Sequence, residues 1–313
     1  MRKRRRQAIY CEQGQFKTGI KGGRGFSLLE LLVVVSIIAM LLGILSPAVR
    51  KAKRHANRLL TRSNQRQIVQ AVTVYTVDND DHFPESVATI GRVGNWNWSE
   101  PTLITAPAAQ GPQLHRSMSA YLSAYINDVS IMACPNAPRK YKYLQEAWDA
   151  QDAWYNPETG TVKNSVNRAV KDSVTGNYCF YWNYIGYLEG RSRLFKGPGA
   201  SAGANRESKL LVSDYFGYDH CRSRKAYSSC ERLRNADITP ETHFASSYWS
   251  RREDWASLET ITVKLQAGFT DGHVEDYSAA NVVPMKVIIN VATNTPYPTG
   301  IGPGIYYLPA AGL

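Results

Sequence analysis

The chain has 313 residues, of which 43% are hydrophobic, so it is long enough for one large or two modest domains with packed cores. Its net charge of +11 is concentrated in residues 1–25 and 50–66, each with a net charge of +7, while the remainder from residue 67 onward has a net charge of −2. Charge that brackets one segment is typical of membrane topology or lipid contact, and it argues against a nucleic-acid-binding surface.

The first two segments are interpreted as a leader and a membrane span. Residues 1–25 are basic, rich in glycine and without apolar periodicity, as expected of a cytoplasmic leader. Residues 26–47 form the predicted membrane-spanning half of a helix, because about 20 apolar residues at about 1.5 Å each cover the roughly 30 Å of bilayer hydrocarbon. Glu30 lies inside this run, where a carboxylate costs about 2.5–3.5 kcal/mol at the centre and less near an end.

The helix is predicted to continue over residues 48–77 as an amphipathic half. Its apolar residues recur mostly at spacings of three and four, with Arg and Lys on the opposite side. Pro47 is expected to kink the helix between the two halves. The stretch "DNDDHFP" should end it, because Asn, Asp and Pro favour turns.

Residues 78–313 are predicted to form one globular domain on the second half of the helix. The first hundred residues are rich in turn signals, with a short helix predicted at 120–125. Asp271-Gly272 marks a tight turn between two runs of β-type residues. The expected fold class is α+β, with a long N-terminal helix packed on an antiparallel sheet. The β-type stretches are residues 178–187, 209–216, 259–277 and 285–292.

Two ordinary interpretations compete for the N-terminus. A secretory signal peptide has a similar basic and apolar layout, and Ser46-Pro47-Ala48 imitates its cleavage site. However, the apolar run is longer than usual, contains Glu30, and continues into an amphipathic helix. A plain membrane anchor fits the length but leaves Glu30 without a partner.

The segment "GFSLLELLVVVSIIAMLLGILSPAV" resembles the prepilin-type cleavage and methylation segment of type IV pilins and type II secretion pseudopilins. The shared elements are Gly25, Phe26, Glu30 and Pro47. The resemblance implies that a prepilin peptidase cuts between Gly25 and Phe26 and methylates the new amine of Phe26. It also implies a pilin-like fold, a single pass through the bacterial inner membrane, and a C-terminal domain in the periplasm or in an extracellular filament.

The cut gives Glu30 a predicted role in assembly. It creates a cation four residues before Glu30, and in a helical bundle the carboxylate of one subunit can pair with the amine of its neighbour. Each charge alone in lipid is costly, and pairing offsets part of that cost. The implied partners are prepilin peptidase, further copies or other pseudopilins, and an inner-membrane assembly platform; nucleic acid is not expected.

Two further stretches resemble prepilin-like proteins. In "AVTVYTVDNDDHFPES" the residues Tyr75, Asp78, Asn79, Phe83 and Pro84 resemble the end of the helix in major pseudopilins. "AGFTDGHVEDY" resembles the C-terminal part of a group of prepilin-like proteins from planctomycetes and their relatives. That group often has a His ten residues before the Asp-Gly pair, where this chain has Ile261.

The cysteines leave two alternatives open. The absence of a C-x-x-C pair removes the usual zinc and thioredoxin signals. In an exported domain, four of the five cysteines could form two disulfides, with Cys221 and Cys230 closing a small loop, or they could remain thiols. The five are Cys11, Cys134, Cys179, Cys221 and Cys230.

Two acidic groups are metal candidates, although no cofactor is expected. Asp78, Asp80 and Asp81 could bind calcium, but their spacing departs from the EF-hand pattern, and a helix-ending turn explains them. Asp271, His273 and Glu275 alternate and would share one face of a strand, where they could ligate a metal or simply face solvent.

The favoured function is a structural subunit of a type II secretion pseudopilus or of a type IV pilus-like filament. No catalytic motif is present, so the chain is not expected to be an enzyme. The alternative is a membrane-tethered periplasmic binding domain, for example for carbohydrate, that does not polymerise. A DNA-uptake pilin is disfavoured by the near-neutral domain. Tryptophans beside loop-like stretches could stack on sugars or pack inside the domain: Trp96, Trp98, Trp148, Trp154 and Trp182.

Overall fold

The structure is a computed structural model of the chain. It divides into two compact units, Met1–Ala52 and Lys53–Leu313. The residues that it describes are 27–88, 101–105, 117–137, 143–154, 174–189, 193–200, 207–219, 225–228, 263–290, 295–296 and 305–313.

A single long helix, α1, opens the described chain. It spans Leu28–Asp78, 51 residues, and contributes its first half to the first unit and its second half to the second. The buried positions of the second half recur at helical spacing, for example Ile68, Val69 and Val72, which confirms the predicted amphipathic pattern. Two shorter helices follow, α2 (Ser119–Leu122) and α3 (Leu144–Ala150).

Thirteen described strands complete the second unit, and all pairings between them are antiparallel. The predicted α+β class is therefore confirmed. The strands are β1 (Leu103–Thr105), β2 (Val174–Thr175), β3 (Tyr178–Phe180), β4 (Ile185–Glu189), β5 (Arg193–Lys196), β6 (Leu210–Asp214), β7 (Phe216–Asp219), β8 (Lys225–Ser228), β9 (Lys264–Phe269), β10 (Val274–Ser278), β11 (Val282–Asn290), β12 (Thr295–Pro296) and β13 (Ile305–Pro309).

The described strands form two main sheets. The first has the order β10-β9-β6-β3. The second has the order β5-β4-β11-β13-β7-β8, with β12 beside β11, and β1 pairs with β2 separately. The second half of α1 packs on the first sheet. A Cβ placed on Gly268 of β9 would lie 2.8 Å from Val69 Cγ2, so the glycine allows helix and strand to approach closely.

The stretch predicted as one β segment at residues 178–187 is divided between both sheets. β3 ends at Phe180, and β4 begins at Ile185 in the other sheet. Between them the N–H of Tyr184 donates to the carbonyl of Tyr181, and Asn183 has a left-handed φ of 50°. The prediction of a continuous stretch was wrong, because Asn tolerates this conformation and supports a turn among aromatic residues.

Candidate functional site

The first half of α1 exposes apolar side chains throughout. Its large hydrophobic residues from Leu28 to Val49 are 45–86% exposed. In the described part of the chain, α1 is the helix that is long and apolar enough to cross a membrane. Exposing apolar surface to water costs roughly 25 cal/mol per Å². Hydrocarbon is therefore the solvent that this half suits.

Ser27 and Glu30 cap the N-terminus of α1. The backbone N–H of Ser27 donates to Glu30 Oε2 at 3.0 Å, and the N–H of Leu29 donates to Ser27 Oγ at 3.3 Å. This reciprocal capping box also places a carboxylate at the positive end of the helix dipole. Its Ser-x-x-Glu spacing is present in the sequence, so Glu30 has an intramolecular partner that the prediction of intersubunit pairing overlooked.

The predicted processing residues Gly25 and Phe26 lie outside the described residues, and cleavage there stays a prediction. Pro47 lies inside α1, which continues through it. Its ring lacks the N–H that would bond the carbonyl of Gly43, four residues earlier. The kink expected at Pro47 rests on that missing hydrogen bond and also stays a prediction.

The second half of α1 carries an arginine at every fourth position. Residues four apart are neighbours on a helix, so like charges in this row repel one another. Arg62 Nη2 lies 3.0 Å from Asp276 Oδ1 of β10. The exposed residues Lys53, Arg54 and Arg66 form no ion pair with the described residues. The helix has no acid of its own between residues 31 and 77. The arginines are Arg54, Arg58, Arg62 and Arg66.

Uncharged residues occupy the outward side of the same half. Leu59 and Leu60 are 55% and 52% exposed, and Val74 and Val77 are 49% and 71% exposed. Ser63, Gln67 and Gln70 lie exposed between them. Apolar side chains that point away from the domain core at helical spacing are suited to contact with another molecule.

A buried polar network holds α1 on the first sheet. Gln65 Nε2 donates to Asp214 Oδ1 at 2.9 Å and to the carbonyl of Gln266 at 3.1 Å. The N–H of Gln266 donates to Asp214 Oδ2 at 2.9 Å. These three residues are at most 5% exposed. Because a buried carboxylate is costly without donors, the network fixes where the helix lies on the sheet. No local sequence signal indicated it, since its members lie on three separate elements.

The C-terminus of α1 is closed by two aspartates in the left-handed region. Asp80 and Asp81 have φ values of 51° and 60°, and the N–H of Asp81 donates to the carbonyl of Thr76 at 2.9 Å. Such a bond satisfies a carbonyl that the helix end leaves without a partner. The predicted stop at "DNDDHFP" is thus confirmed, and its acids belong to a helix-ending turn.

Phe83 and Pro84 dock on the turn between β3 and β4. Asn183 Nδ2 donates to the carbonyl of Phe83 at 3.0 Å and to that of Pro84 at 2.9 Å. Gly199 has a φ of 80°, and a Cβ placed on it would lie only 2.9 Å from Phe83 Cδ2, so a side chain has no room there. The aromatic-Pro pair that resembles pseudopilins therefore ties the end of the helix to the sheets.

Asp271 and His273 pair across the predicted Asp-Gly turn. Gly272 has a φ of 88°, and its N–H donates to the carbonyl of Phe269, which confirms the turn. The carboxylate of Asp271 contacts His273 Nδ1, and the imidazole stacks on Phe269 with centroids 4.5 Å apart. Hydrogen bonds from the main chain and then the side chain of His273 lower the pKa of Asp271.

The metal candidates gain no support from the geometry. In the described part of the chain, no group of three or more His, Cys, Asp or Glu side chains could hold an ion. This applies to Asp78 and Asp80 at the helix end, and to Asp271 and His273 at the turn. Asp80 lies in the turn that closes α1, and the carboxylate of Asp271 is engaged by His273.

The cysteines and tryptophans of the described part are internal. Cys134 and Cys179 are buried thiols outside any disulfide, whereas the predicted Cys221–Cys230 pair lies outside the described residues and stays a prediction. Trp148, Trp154 and Trp182 are buried, at 4%, 8% and 1% exposure. They pack inside the domain and do not offer faces to a sugar. Trp96 and Trp98 lie outside the described residues.

Comparison with known proteins identifies the N-terminal segment. Residues 20–46 match the family described as the prokaryotic N-terminal methylation motif. Over 71 residues the chain is 31% identical to the type IV wide pilus major component PilA4 of Thermus thermophilus. This alignment covers 23% of the chain and 54% of the relative's length, so the chain spans about half of that relative.

No solved structure matches the chain. The methylation motif and the pilin relative nevertheless agree with the geometry, in which a long exposed apolar helix precedes antiparallel sheets. The chain therefore carries a prepilin-type N-terminal methylation motif and is similar over its aligned 71 residues to a type IV pilin.

Proposed function

We propose that the chain is a structural subunit of a type IV pilus-like filament or of a type II secretion pseudopilus, made as a prepilin and cut between Gly25 and Phe26. The observation that carries this proposal is the methylation motif at residues 20–46, directly before an apolar helix with exposed side chains. Prepilin peptidase and an inner-membrane assembly platform are its partners. The membrane holds the first half of α1, and the second unit lies in the periplasm or in the filament.

Glu30 has a part in both the single subunit and the assembled filament. In the single chain, its Oε2 accepts the Ser27 N–H, which lies next to the proposed new terminus. After cleavage the amine of Phe26 becomes a cation four residues away. In a bundle of helices the carboxylate of one subunit neutralises the amine of the next, and lipid makes this pairing more favourable than leaving either charge alone.

The outward side of the second half of α1 supports assembly over a lone tether. A tethered binding domain has no need of apolar residues there, but Leu59, Leu60, Val74 and Val77 are all about half exposed or more. Packed helices of neighbouring subunits cover such side chains. The tether alternative loses the sugar-stacking argument at Trp148, Trp154 and Trp182, because these three are buried.

Mass spectrometry of the mature N-terminus tests the processing step. The full chain is produced with a prepilin peptidase and purified from membranes. We expect a protein that begins with N-methylated Phe26. A mature chain that begins at Val49 indicates signal-peptide cleavage and contradicts the proposal.

Two substitutions separate the assembly role of Glu30 from its capping role. Ser27→Ala removes the capping hydroxyl and leaves the carboxylate, whereas Glu30→Gln removes the charge and keeps an acceptor. We expect filament yield to fall strongly for Glu30→Gln and only slightly for Ser27→Ala, as measured by shearing and immunoblotting. If Glu30→Gln assembles at the wild-type level, the pairing proposed for Glu30 is wrong.

A further inference from the structure

Four exposed cations follow the apolar half of α1 within five residues. Arg50 and Arg54 are four residues apart and Arg50 and Lys53 are three apart, so like charges lie side by side on the helix. None of the four forms an ion pair with the described residues. Their mutual repulsion makes an anionic partner favourable at this turn. We call this set the basic collar: Arg50, Lys51, Lys53 and Arg54.

The basic collar begins where the exposed apolar surface ends. The large hydrophobic side chains from Leu28 to Val49 are 45–86% exposed, and the next residue is Arg50. At about 1.5 Å per residue this run covers roughly 30 Å, which is the thickness of bilayer hydrocarbon. Residues 50–54 cover about 6 Å more, and each headgroup layer is roughly 5–8 Å thick. A bilayer around the run therefore has its phosphates at the level of the collar.

The four cations are spread too widely around the helix for one neighbouring helix to cover them. Successive residues are about 100° apart around the axis, so the collar occupies an arc of about 160° from Lys53 to Lys51. A seam between two packed helices is narrower than about 100°. Headgroups surround a spanning helix, and long basic side chains reach them while their stems stay on apolar surface. A lipid surface thus fits the collar better than one protein neighbour does.

We propose that the basic collar binds the phosphates of anionic phospholipids, such as phosphatidylglycerol, in the leaflet that borders residues 50–54. This contact sets the depth of α1 in the bilayer. With Arg50 at one edge of the hydrocarbon, Glu30 lies 20 residues and roughly 30 Å away, at the opposite edge. The carboxylate of Glu30 and the proposed cleavage site before Phe26 then lie at the membrane surface.

Net charge distinguishes the expected lipid from a zwitterionic one. Each Lys or Arg near an anionic surface strengthens binding about fivefold, whereas a zwitterionic headgroup carries no net charge. In the proposed orientation the collar lies on the periplasmic side, where basic residues are ordinarily disfavoured, and anionic phosphates offset this cost. The binding itself requires only a bilayer around the first half of α1, and the assignment to the periplasmic leaflet rests on the proposed function.

Lipid selectivity of the full chain tests the collar. Single copies are placed in nanodiscs that contain equal amounts of phosphatidylcholine and phosphatidylglycerol. Spin-labelled forms of the two lipids report their association with the protein by electron paramagnetic resonance. We expect the wild type to prefer phosphatidylglycerol, and about 1 M salt should weaken this preference by screening. Lys51→Gln combined with Arg54→Gln should lower the preference roughly fivefold or more.

Two further double variants serve as controls. Arg66→Gln with Lys264→Gln also removes one Arg and one Lys, but outside the collar, and should leave the preference unchanged. Lys51→Arg with Arg54→Lys keeps both charges and should keep the preference. The leader is the same in every variant, so its own charges do not alter the comparison. An unchanged preference in the collar variant, or an equal loss in the Arg66 and Lys264 variant, overturns the proposal.

A fluorescent amino acid in place of Val49 tests the depth. Lipids with a nitroxide near the headgroup should quench its fluorescence more strongly than lipids with a nitroxide at the chain end. The opposite order contradicts the depth that the collar is proposed to set. Neither measurement depends on cleavage or polymerisation. A mature chain without methylated Phe26 would overturn the proposed function and leave the collar standing, whereas loss of lipid preference would overturn the collar alone.

Discussion

Asp214 is the residue on which the helix–sheet contact depends. Its two carboxylate oxygens accept from Gln65 Nε2 and from the N–H of Gln266. The side chain is 2% exposed, so without the carboxylate the buried N–H of Gln266 would lose its acceptor, and Gln65 Nε2 would keep only the carbonyl of Gln266. Unsatisfied buried donors cost about 1–3 kcal/mol each. The network is therefore more important for stability than the exposed Arg62–Asp276 pair.

Asp214→Ala should lower the free energy of unfolding by about 1–3 kcal/mol, because it leaves the buried N–H of Gln266 without an acceptor and removes one of the two acceptors of Gln65 Nε2. Urea unfolding of the full chain in detergent micelles, followed by tryptophan fluorescence, measures this change. Glu275→Ala is the control and should shift the value by less than about 0.5 kcal/mol. Equal effects of the two substitutions would argue against a stabilising network.

The stability of the hairpin depends slightly on pH through Asp271. Donors on His273 lower the pKa of Asp271, so the folded state favours the carboxylate. The resulting stability is present above the ordinary carboxyl pKa of about 4 and is lost as the pH falls through the lowered folded pKa. Carbon-13 NMR of the carboxyl should show a pKa below the ordinary value, and His273→Ala should raise it. An unchanged pKa in His273→Ala contradicts this assignment.

At the scale of elements, the two halves of α1 differ in which side chains they expose and in how their ends are capped. The first half is apolar on all sides and begins with a capping box formed by Ser27 and Glu30. The second half buries one side on the first sheet and ends in the left-handed turn at Asp80 and Asp81. Local chemistry thus sets both ends of the helix, while packing against β9 sets the position of its second half.

Gly268→Ala should destabilise the second unit by about 1–3 kcal/mol through overpacking. The added Cβ would lie 2.8 Å from Val69 Cγ2 and 3.0 Å from Val212 Cγ1. A cycle with Val69→Ala should show coupling, because both substitutions act on the same contact. Gly43→Ala has open space around its new Cβ and serves as the control. If the effects of Gly268→Ala and Val69→Ala are additive, the destabilisation does not arise from the contact between these two residues.

At the scale of the whole molecule, solvent requirements separate the two units. Most of the exposed large hydrophobic residues lie between Leu28 and Val49, in the first unit. The second unit contains the sheets and the buried core around Trp182, Tyr181 and Phe195. One chain therefore combines a segment suited to lipid with a domain suited to water.

A chain that begins at Lys53 should be soluble without detergent and should unfold cooperatively, because it retains the buried half of α1 and both sheets. The full chain should remain with membranes after carbonate extraction. Circular dichroism and thermal unfolding measure the first expectation, and fractionation measures the second. An unfolded or aggregated product would show that the second unit depends on the first half of α1.

The sequence by itself determined the features that depend on neighbours a few positions apart. These include the extent of α1, its apolar half and the Asp271-Gly272 turn, because helix period and turn chemistry are local; the capping of Ser27 by Glu30 is local as well, but it was recognised only in the structure. Only the tertiary structure joined Gln65 to Asp214, which are 149 positions apart. It also divided residues 178–187 between two sheets at Asn183. Contacts of this kind arise from packing, and no local pattern of residues encodes them.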